Sequence, residues 1–465
     1  MKKRCNTNKE TYRQLFYWMN VWAIYALQTG LVHIYYQGFY QKNFDFVLSP
    51  AFEFVLIATY AVLLFVLENI FGVFQVEFSK KSQIIDSYLP ALLVGDFLFY
   101  GGICLLERGA GSIYPTIGLF AAHVVLTTAW ILIFARIRRH IAWNHRTILI
   151  HDDSMDDLLG RILARPEDYR IDKIVRYDGN IESICAEIQA QNTVILYEIP
   201  TRVRDRLMAL CYERDCCVYL TPKVPDVFLA SAKVPHIFGS SLMLCRNEEI
   251  SLDKKFAKRL IDIVCSIVGL VFASPFILII AAAIKFSDGG PVLYKQKRLT
   301  KNRKAFEIYK FRSMRVDAEK DGIARLASEN DERITPVGRI IRAVRFDELP
   351  QLINILRGDM SIVGPRPERP EIAEQYEKMM PEFSYRLKMK AGLTGLAQVV
   401  GRYNTSPKDK AILDLFYIKN YSFLLDVKLI TMTVKTILSP EATQGIARGE
   451  TTAIRTSLAG KAEAN

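Results

Sequence analysis

The sequence predicts a membrane protein in which apolar helices are joined to α/β regions, and three observations support this. Four apolar runs lie within residues 1–141, each near the ~20 residues that a membrane-spanning helix requires. Short β-rich runs then alternate with helical runs. A further long apolar stretch with basic residues on both sides opens the last part of the chain. We therefore expect a helical membrane domain over 1–141, a Rossmann-like α/β domain over 142–250 and a third, α/β domain over 251–440.

The N-terminal apolar runs are predicted to form four transmembrane helices whose orientation is set by charge. They cover residues 12–36, 51–71, 88–106 and 113–135. Lysines and arginines cluster before the first run, between the second and the third, and after the fourth. Because basic loops tend to remain in the cytoplasm, an even number of crossings returns the chain to that side. The sequence thus predicts that the remainder of the protein is cytoplasmic.

Three acidic residues, Glu53, Glu68 and Asp96, lie in or near these apolar runs. A buried acid is expensive in a membrane, so such residues mark either a relay or substrate path, or a helix-packing or interfacial position. The two glutamates lie near the ends of their runs, which favours the packing interpretation. Asp96 is the strongest candidate of the three for a functional role.

The composition limits the possible binding partners of the protein and the cellular compartment in which it folds. Hydrophobic residues make up 50% of the 465 residues, and the formal net charge is +12. A basic surplus suits nucleic acid, anionic lipid headgroups or phosphorylated substrates, but the long apolar runs favour a membrane surface over nucleic acid. The 8 cysteines show no paired metal-binding spacing, which indicates free thiols in a reducing compartment.

Between residues 146 and 245 the pattern is typical of an α/β domain. The runs RTILIH, DKIVRY, TVILYE and CCVYLTP are predicted strands, and residues 156–163 and 202–212 are predicted helices. A nucleotide-binding version of this layout needs a glycine-rich turn after the first strand, where the backbone approaches phosphate. The turn here reads HDDS from His151, and its two acids would repel a diphosphate. We therefore expect a structural, oligomeric or regulatory module.

The apolar stretch that opens the third domain contains Ser274 and Pro275 near its middle. Proline removes one helical hydrogen bond and clashes with the preceding turn, which bends a helix. Basic residues flank both ends of the stretch, so both ends favour the cytoplasm. We expect a re-entrant helix over 256–286 that enters the membrane, breaks at Ser-Pro and returns. A kinked helix that spans the membrane is the alternative.

The most informative stretch, residues 342–371, reads RAVRFDELPQLINILRGDMSIVGPRPERPE. An apolar helical pattern follows Asp347 and Glu348, so Asp347 is predicted to cap a helix that ends at Gly358. A helix N-terminus keeps a carboxylate ionised and attracts phosphate. Of two adjacent carboxylates, one can attack phosphorus while the other holds Mg²⁺ or accepts a proton. The plainer interpretation is a capping aspartate followed by a solvated glutamate.

Cations and a proline-rich segment lie on either side of this acidic pair in the sequence. The run AFEIYKFRSMRVDAEK carries Lys310 and Arg312, and Arg342 lies shortly before the pair. Such groups either clamp a transferring diphosphate or form a solvated basic face. The Pro-Arg-Pro segment 365–367 favours an extended backbone with free polar groups, which suits either recognition of a flat base or a rigid turn.

The strings KFRSM and DELPQLINILRGDMSIVGPRP resemble the catalytic core of the bacterial sugar transferases, also called monotopic phosphoglycosyl transferases. The resemblance extends over residues 254–438, and the whole chain is similar to the large form of the family. It implies that Asp347 attacks the β-phosphate of a UDP-sugar to form a covalent phosphosugar intermediate. Glu348, with Asp347 beside it, is then the candidate Mg²⁺ ligand. The remaining implied roles are diphosphate contacts for Lys310, Arg312 and Arg342, uridine contacts for Pro365, Arg366 and Pro367, and the membrane break at Ser274 and Pro275.

The same resemblance implies transfer of a sugar-1-phosphate to undecaprenyl phosphate, with release of UMP, as the first step of exopolysaccharide or capsule biosynthesis. The expected location is the bacterial inner membrane, with the catalytic domain in the cytoplasm; a homodimer is left open. Two rival functions stand beside this one. They are direct in-line transfer with Asp347 as a base or metal ligand, and a membrane scaffold or sensor whose catalytic domain is silent. The sugar is left open between glucose, galactose and N-acetylated sugars.

Further predictions concern departures from the family and the C-terminal part of the chain. Arg345 and Phe346 stand where small polar residues are frequent in the family, and Ala391 where proline is more common. The glycine-rich run MKAGLTGLAQVVGRYN suggests a loop that approaches a ligand or the membrane. Residues 414–438 are predicted to form a helix that lies either in the headgroup layer or on the catalytic core. Small polar residues over 441–465 predict a disordered tail.

Overall fold

The structure is a computed structural model of the chain. It describes residues 7–41, 49–74, 81–107, 112–140, 147–152, 171–188, 193–234, 236–237, 240–246, 250–315, 331–401 and 406–438. These residues form two compact units, Met1–Pro222 and Lys223–Asn465. The border between the units lies inside the predicted 142–250 domain, and the predicted domain boundaries stay predictions. The predicted helix 156–163 and the predicted tail 441–465 lie outside the described residues.

The first unit begins with long helices at the positions of the predicted apolar runs. They are α1 (Thr7–Tyr35), α2 (Pro50–Ile70), α3 (Lys81–Glu107) and α4 (Tyr114–His140). Segments of α2, α3 and α4 are long and apolar enough to cross a membrane. Polar residues such as Gln28 interrupt the apolar run of α1, whose described residues do not meet both conditions. The crossing by α1 therefore stays a prediction.

A buried polar network joins these four helices. Asp96 of α3 accepts a hydrogen bond from the Tyr60 hydroxyl of α2 at 2.8 Å and lies 3.0 Å from His123 Nδ1 of α4. The other ring nitrogen of His123 lies 3.1 Å from the carbonyl oxygen of Gln28 in α1. Asp96, His123 and Gln28 are all buried, so these polar groups satisfy one another in place of water. Asp96 thus has the helix-packing role that the sequence offered as one alternative.

A four-stranded parallel sheet follows these helices, and all the strands predicted for this region are present. The elements are β1 (Thr147–His151), β2 (Ile171–Arg176), α5 (Ile181–Ile188), β3 (Thr193–Tyr197), α6 (Thr201–Glu213) and β4 (Cys217–Leu220). The strand order is β2-β1-β3-β4, and α6 confirms the helix predicted over 202–212. Ile148 and Ile150 of β1 and Val194 of β3 are fully buried and pack with α5 and α6. This region is therefore α/β with a parallel sheet.

The second unit combines helices with short two-stranded sheets. Its elements are α7 (Val224–Ala230), β5 (His236–Ile237), β6 (Ser240–Ser241), α8 (Leu252–Asp288), β7 (Leu293–Leu299), β8 (Ala305–Phe311), α9 (Pro336–Ala343), α10 (Gln351–Arg357), β9 (Ser361–Val363), α11 (Pro370–Met379), β10 (Gly392–Thr394), α12 (Leu396–Val399), α13 (Pro407–Lys419) and α14 (Phe423–Leu438). β7 and β8 pair antiparallel along their whole length, and β9 and β10 pair parallel. Ile308, Ile355, Val363 and Leu429 from four of these elements form part of one buried core.

The predicted membrane segment of this unit is one continuous helix, α8, of 37 residues. Helical structure continues through Ser274 and Pro275, and the Ser274 hydroxyl donates to the Val271 carbonyl at 2.8 Å. A single proline removes only one backbone hydrogen bond, so the neighbouring bonds can carry the helix past it. The segment Leu252–Ser287 is long and apolar enough to cross a membrane. Together with the helices of the first unit this indicates a membrane protein, while the re-entrant path stays a prediction.

Charged residues near the start of α8 attach this helix to the rest of its unit. Lys258 Nζ donates to the Val363 carbonyl at 2.8 Å and to Asp426 Oδ2 at 2.7 Å. One turn further along, Asp262 accepts from the backbone N–H of Ile362 at 2.8 Å. Both contacts reach β9 or its neighbours, so the first turns of α8 hold the strand that leads into the Pro-Arg-Pro segment.

The C-terminal run 414–438, predicted as one helix, contributes to two helices instead, α13 and α14. Asn420 ends α13, and the Ser422 hydroxyl accepts from the Leu425 N–H at 3.2 Å, which caps a new helix. Asp426 and Leu429 of α14 are buried within the unit. Of the two predicted placements, packing on the core is the one that these residues show.

Candidate active site

Asp347 and Glu348 lie in a tight 3₁₀ turn, Phe346–Glu348, which connects α9 to α10. The α-helix begins only at Gln351, and Pro350 occupies its N-cap position. The predicted N-cap role of Asp347 is therefore wrong. The segment is held by i→i+3 hydrogen bonds, which are tighter than α-helical ones, before the α-helical pattern starts.

Arg345 starts this turn in the left-handed region, with φ of 58° and ψ of 21°. This conformation costs a residue other than glycine about 1 to 3 kcal/mol, and such strain is concentrated at functional sites. The Arg345 carbonyl accepts from the Glu348 N–H at 3.3 Å, which closes the turn that carries both carboxylates. Sequence reasoning noted Arg345 only as a departure from the family, because no glycine marks the unusual conformation.

The end of α10 agrees with the sequence and is attached to α8. Gly358 follows the helix with φ of 87°, as predicted for a helix stop. The last carbonyls of a helix lack partners within it. Here Arg259 of α8 supplies them, since its Nη1 and Nη2 donate to the carbonyls of Ile355 and Leu356, each at 2.7 Å. The C-terminal end of α10 is therefore attached to the apolar helix.

Glu348 is the carboxylate that contacts cations directly. Its Oε1 lies 2.8 Å from Lys310 Nζ of β8 and 3.5 Å from Arg366 Nη2. Burial alone would raise the pKa of Glu348, but Lys310, Arg366 and Arg345 outweigh it and hold that pKa well below its usual range. Glu348 is therefore ionised at neutral pH.

The pKa of Asp347 is shifted in the opposite direction from that of Glu348. Its burial raises the pKa of the Asp347 carboxyl above its ordinary value, and the neighbouring charge of Glu348 raises it further. Lys310 and Arg342 offset part of this effect. The two adjacent carboxylates thus occupy environments that push their pKa values apart, which is the pattern of a pair that divides two chemical roles. The interpretation as a plain cap and a solvated glutamate does not describe this partly buried pair, whose glutamate contacts two cations.

The structure places the predicted diphosphate ligands in two different surroundings. Lys310 lies at the acidic pair, and Arg342, in the last turn of α9, is close enough to lower the pKa of Asp347. Arg312 instead is buried against the turn at Gly290, where an added Cβ would come within 1.8 Å of Arg312 Nη1. Gly290 is thus required for Arg312 to lie there. Contact between Arg312 and a diphosphate stays a prediction.

The Pro-Arg-Pro segment 365–367 follows β9 and is held by three backbone contacts. The carbonyls of the three residues accept, in order, from Gly392 N at 2.9 Å, from Arg386 Nη2 at 3.0 Å and from Arg298 Nη1 at 3.2 Å. The prediction that these carbonyls are free is therefore wrong, because neighbouring elements fill one acceptor position on each. The side chain of Arg366 is the part of the segment that faces the acidic pair.

The glycine-rich run after Met389 packs against this segment. A Cβ on Gly364 would lie 2.4 Å from the Lys390 carbonyl oxygen, and the Gly364 N–H donates to the Thr394 carbonyl at 2.8 Å. Within the described residues, the predicted loop thus approaches backbone, and its Arg402 lies outside them. Ala391 is buried in this contact.

Sequence reasoning missed the groups that support the Pro-Arg-Pro segment from other parts of the chain. Arg386 belongs to the 3₁₀ helix Pro381–Lys388 and Asp414 to α13, and no motif singles out either residue. A small, partly open depression lies beside the segment, and its enclosed volume of about 10 Å³ is far below that of a small-molecule site. Its lining includes Leu299, Pro365, Arg366, Glu368, Phe383 and Arg386.

The donor set of the acidic pair fits only one kind of magnesium site. No group of three or more histidine, cysteine or acidic residues suitable for a metal occurs in the described part of the chain. Mg²⁺, however, is commonly bound through one or two carboxylates and completed by substrate phosphates and water. Asp347 and Glu348 fit that arrangement and do not fit a site built by protein ligands alone.

Comparison with known proteins gives a consistent result. The family model described as bacterial sugar transferase matches residues 253–440. The chain is 44% identical over 186 residues to the exopolysaccharide production protein PSS of Rhizobium leguminosarum bv. phaseoli, which covers 38% of this chain and 92% of that protein.

Two longer relatives match about half of the chain. An undecaprenyl-phosphate galactose phosphotransferase of Salmonella typhimurium is 37% identical over 237 residues, or 48% of this chain and 49% of the relative. A UDP-N-acetylgalactosamine-undecaprenyl-phosphate N-acetylgalactosaminephosphotransferase of Aeromonas hydrophila is 37% identical over 238 residues, or 50% and 55%. The chain thus spans about half the length of these two relatives. By its match to nearly the whole of the Rhizobium protein and to the family model, the chain belongs to the bacterial sugar transferase family.

Proposed function

We propose that this protein transfers a sugar-1-phosphate from a UDP-sugar to undecaprenyl phosphate and releases UMP. The observation that carries the proposal is the contact of Glu348 with Lys310 and Arg366 beside a partly buried Asp347, which shifts the pKa values of the two adjacent carboxylates in opposite directions. The names of the longer relatives, which act on undecaprenyl phosphate, support the same acceptor. Exopolysaccharide or capsule synthesis is then the process that this reaction begins.

In the first step, a carboxylate oxygen of Asp347 attacks the β-phosphorus of the UDP-sugar. The bond between that phosphorus and the oxygen bridging the two phosphates breaks, and UMP leaves with the bridging oxygen. Burial removes water from Asp347, which makes its carboxylate more basic and a stronger nucleophile. Lys310 and Arg366 supply fixed positive charge beside the reacting group, where negative charge accumulates.

In the second step, a phosphate oxygen of undecaprenyl phosphate attacks the same phosphorus. The bond from phosphorus to Asp347 breaks, the carboxylate is regenerated, and the product is a sugar joined to the lipid through a diphosphate. A Mg²⁺ held by Glu348 and Asp347 would neutralise phosphate charge when bound. The lipid acceptor must reach Asp347 from the membrane, and Phe276 of α8 supports this route because its ring lies 5.7 Å from that of Phe346, the neighbour of Asp347.

We place the catalytic unit on the cytoplasmic side of the bacterial inner membrane, with α8 re-entrant. The supporting features are the basic flanks of α8 and its attachment to the site by Lys258, Arg259 and Asp262. A helix fixed to the catalytic elements at its first turns keeps Asp347 at a constant depth relative to the lipid.

The test is UMP release from a panel of UDP-sugars with Mg²⁺ and undecaprenyl phosphate, comparing the parent protein with Asp347→Asn. We expect one UDP-sugar to give UMP, and the substitution to reduce the rate by about 10³-fold or more because the nucleophile is lost. A UDP-sugar labelled at the β-phosphate should leave label on the parent protein in the absence of lipid, and none on Asp347→Asn.

The control is Glu374→Gln, an exposed carboxylate on α11, which should leave the rate unchanged. Turnover without a labelled intermediate, with kinetics that require both substrates to bind together, would favour direct in-line transfer. Folded parent protein that releases no UMP from any UDP-sugar would sink the enzyme proposal and leave a membrane scaffold or sensor in its place.

A further inference from the structure

Arg366 is fixed by contacts to both its side chain and its backbone. Its Nη2 lies 3.5 Å from Glu348 Oε1. With the Gln398 amide oriented to donate to the Leu393 carbonyl at 3.0 Å, its oxygen accepts from Arg366 Nη1 at 3.3 Å. The Arg366 carbonyl accepts from Arg386 Nη2 at 3.0 Å. The guanidinium that faces the acidic pair is therefore set by three neighbours, one of them through the backbone.

Arg386, the backbone partner, is itself immobilised. It is only 3% exposed, and its Nε and Nη2 lie 2.9 Å and 2.6 Å from Asp414 Oδ2. Asp414, on α13, is 1% exposed. The guanidinium also lies over the Phe383 ring, with its carbon 4.7 Å from the ring centre. A planar fork held by a buried carboxylate and an aromatic ring has one orientation, and in it Nη2 points at the Arg366 carbonyl.

We propose that Arg386 and Asp414 are positioning residues for Arg366. The buried pair fixes the backbone of the Pro-Arg-Pro segment so that the Arg366 side chain meets Glu348 and the UMP part of the donor substrate. The inference rests on the proposed function, since it assigns support to a residue of that site. It extends the site to two residues that lie 20 and 48 positions beyond Arg366 in the chain (386 − 366 and 414 − 366).

Arg386→Lys is the informative variant. Lysine keeps the positive charge that the buried Asp414 requires but offers a point donor instead of a planar fork, so it cannot hold Asp414 and the Arg366 carbonyl in the same geometry. We expect KM for the UDP-sugar to rise and kcat to fall, with kcat/KM lowered about tenfold, because a displaced Arg366 holds the donor less firmly and offsets less of the charge that accumulates during the reaction. The matched control is Leu415→Ala, a buried neighbour of Asp414 that packs with Val227 of α7.

A double-mutant cycle separates positioning from a general loss of stability. Equilibrium binding of UMP is measured for the parent, Arg386→Lys, Arg366→Ala and the double variant. If Arg386 acts through Arg366, the lysine substitution weakens UMP binding in the parent and adds almost nothing once the Arg366 side chain is absent. Additive effects in the cycle, or the same KM change in Leu415→Ala, would overturn the proposal.

A second measurement does not depend on activity. Hydrogen exchange of the peptide that contains residues 361–369 should be faster in Arg386→Lys than in the parent and unchanged in Leu415→Ala. Unchanged exchange in Arg386→Lys would overturn the positioning role even if the enzyme is active. Faster exchange in a protein whose parent neither binds UMP nor releases it would support the positioning role and reject the proposed function.

Discussion

Both units of this protein contain buried polar networks, but the charged side chains of the two networks contact different parts of the chain. In the first unit, Asp96 and His123 bind side chains and a carbonyl of other helices, so the network joins helix to helix. In the second unit, Lys258 and Arg386 reach backbone carbonyls on either side of the site, at Val363 and Arg366. Buried charge therefore assembles a bundle in one unit and positions a loop in the other.

Buried carboxylates within each unit also differ in how completely they are paired. Glu68 in the first unit is fully buried, and neither of its carboxyl oxygens has a hydrogen-bond partner within the described residues. In the second unit, Asp262 accepts from a hydroxyl and a backbone N–H, each at 2.8 Å, whereas Asp414 Oδ1 has no partner within the described residues. An unpaired buried carboxyl is costly, whereas a paired one restricts its donors to one arrangement. We expect substitutions in the two networks to have correspondingly different effects.

The largest effect on stability is expected for Lys258→Met in the second unit. The substitution leaves Asp426, which is 1% exposed, without its cation and removes one of two donors to the Val363 carbonyl, the other being the Tyr417 hydroxyl. Removing one partner of a buried ion pair costs about 3 to 5 kcal/mol. Thermal unfolding of the purified protein in detergent should show a clear fall in the midpoint of the second unit.

Lys254→Met is the matched control, because Lys254 is exposed on the same helix and should leave that midpoint unchanged. A loss in Lys258→Met that is no larger than in the control would show that the network does not hold α8 to β9, and the contrast between the two units would disappear.

These contacts also show where prediction from sequence stops. The apolar runs, the β-rich runs and the acidic pair are local patterns, and the structure has helices at each apolar run, the strands of the parallel sheet and a turn that carries Asp347 and Glu348. The Lys258–Asp426 pair joins residues 168 positions apart, and composition or spacing cannot indicate which of many lysines and acids meet. For the same reason, the pairing of Arg386 with Asp414 could not be predicted from the sequence.

Local patterns are ambiguous where several local solutions compete, and one such prediction, the N-cap at Asp347, was wrong. An aspartate before an apolar helix commonly caps it, yet here Arg345 adopts a left-handed conformation and a 3₁₀ turn precedes the helix. A proline within an apolar run can break a helix or be carried within it, and α8 passes through Pro275. Contacts between elements that are distant in the chain, such as that of Phe276 with Phe346, are not visible in these local patterns.

A smaller effect is expected for Asp96 in the first unit, and it depends on which residue replaces it. Asp96→Asn keeps an oxygen that can accept from Tyr60 and should change stability by less than about 1 kcal/mol. Asp96→Leu leaves the Tyr60 hydroxyl and His123 Nδ1 buried without their partner, at a cost of about 1 to 3 kcal/mol. Thermal unfolding in detergent of both variants measures the difference.

Leu93→Ala, an exposed apolar position on the same helix, controls for changes in the apolar surface of the bundle. Equal losses in the Asn and Leu variants would indicate that the charge of Asp96, and not its hydrogen bonds, holds the four helices together. The first unit would then depend on a buried charge, as the second unit does.

The smallest expected effect is a pH dependence carried by Glu368, which lies in the network around Arg386. Burial opposes its ionisation, but Arg386, Lys410 and Arg298 outweigh burial and hold the pKa of Glu368 below its ordinary value of 4.5. Because the folded pKa is lower than the unfolded one, the stabilisation is complete above about pH 4.5 and is lost as pH falls through the folded value. Parent and Glu368→Gln should therefore differ in unfolding midpoint at neutral pH and converge in acid.

The comparison of parent with variant is needed because burial raises the pKa of neighbouring Asp414, which favours the folded state in acid and works against the effect of Glu368. Subtracting the Glu368→Gln profile from that of the parent isolates the glutamate, and Glu374→Gln on the exposed face of α11 should show no difference at any pH. A difference that grows as pH falls would mean that Glu368 binds its proton more tightly when folded. The cations around Arg386 would then fail to compensate the burial of Glu368.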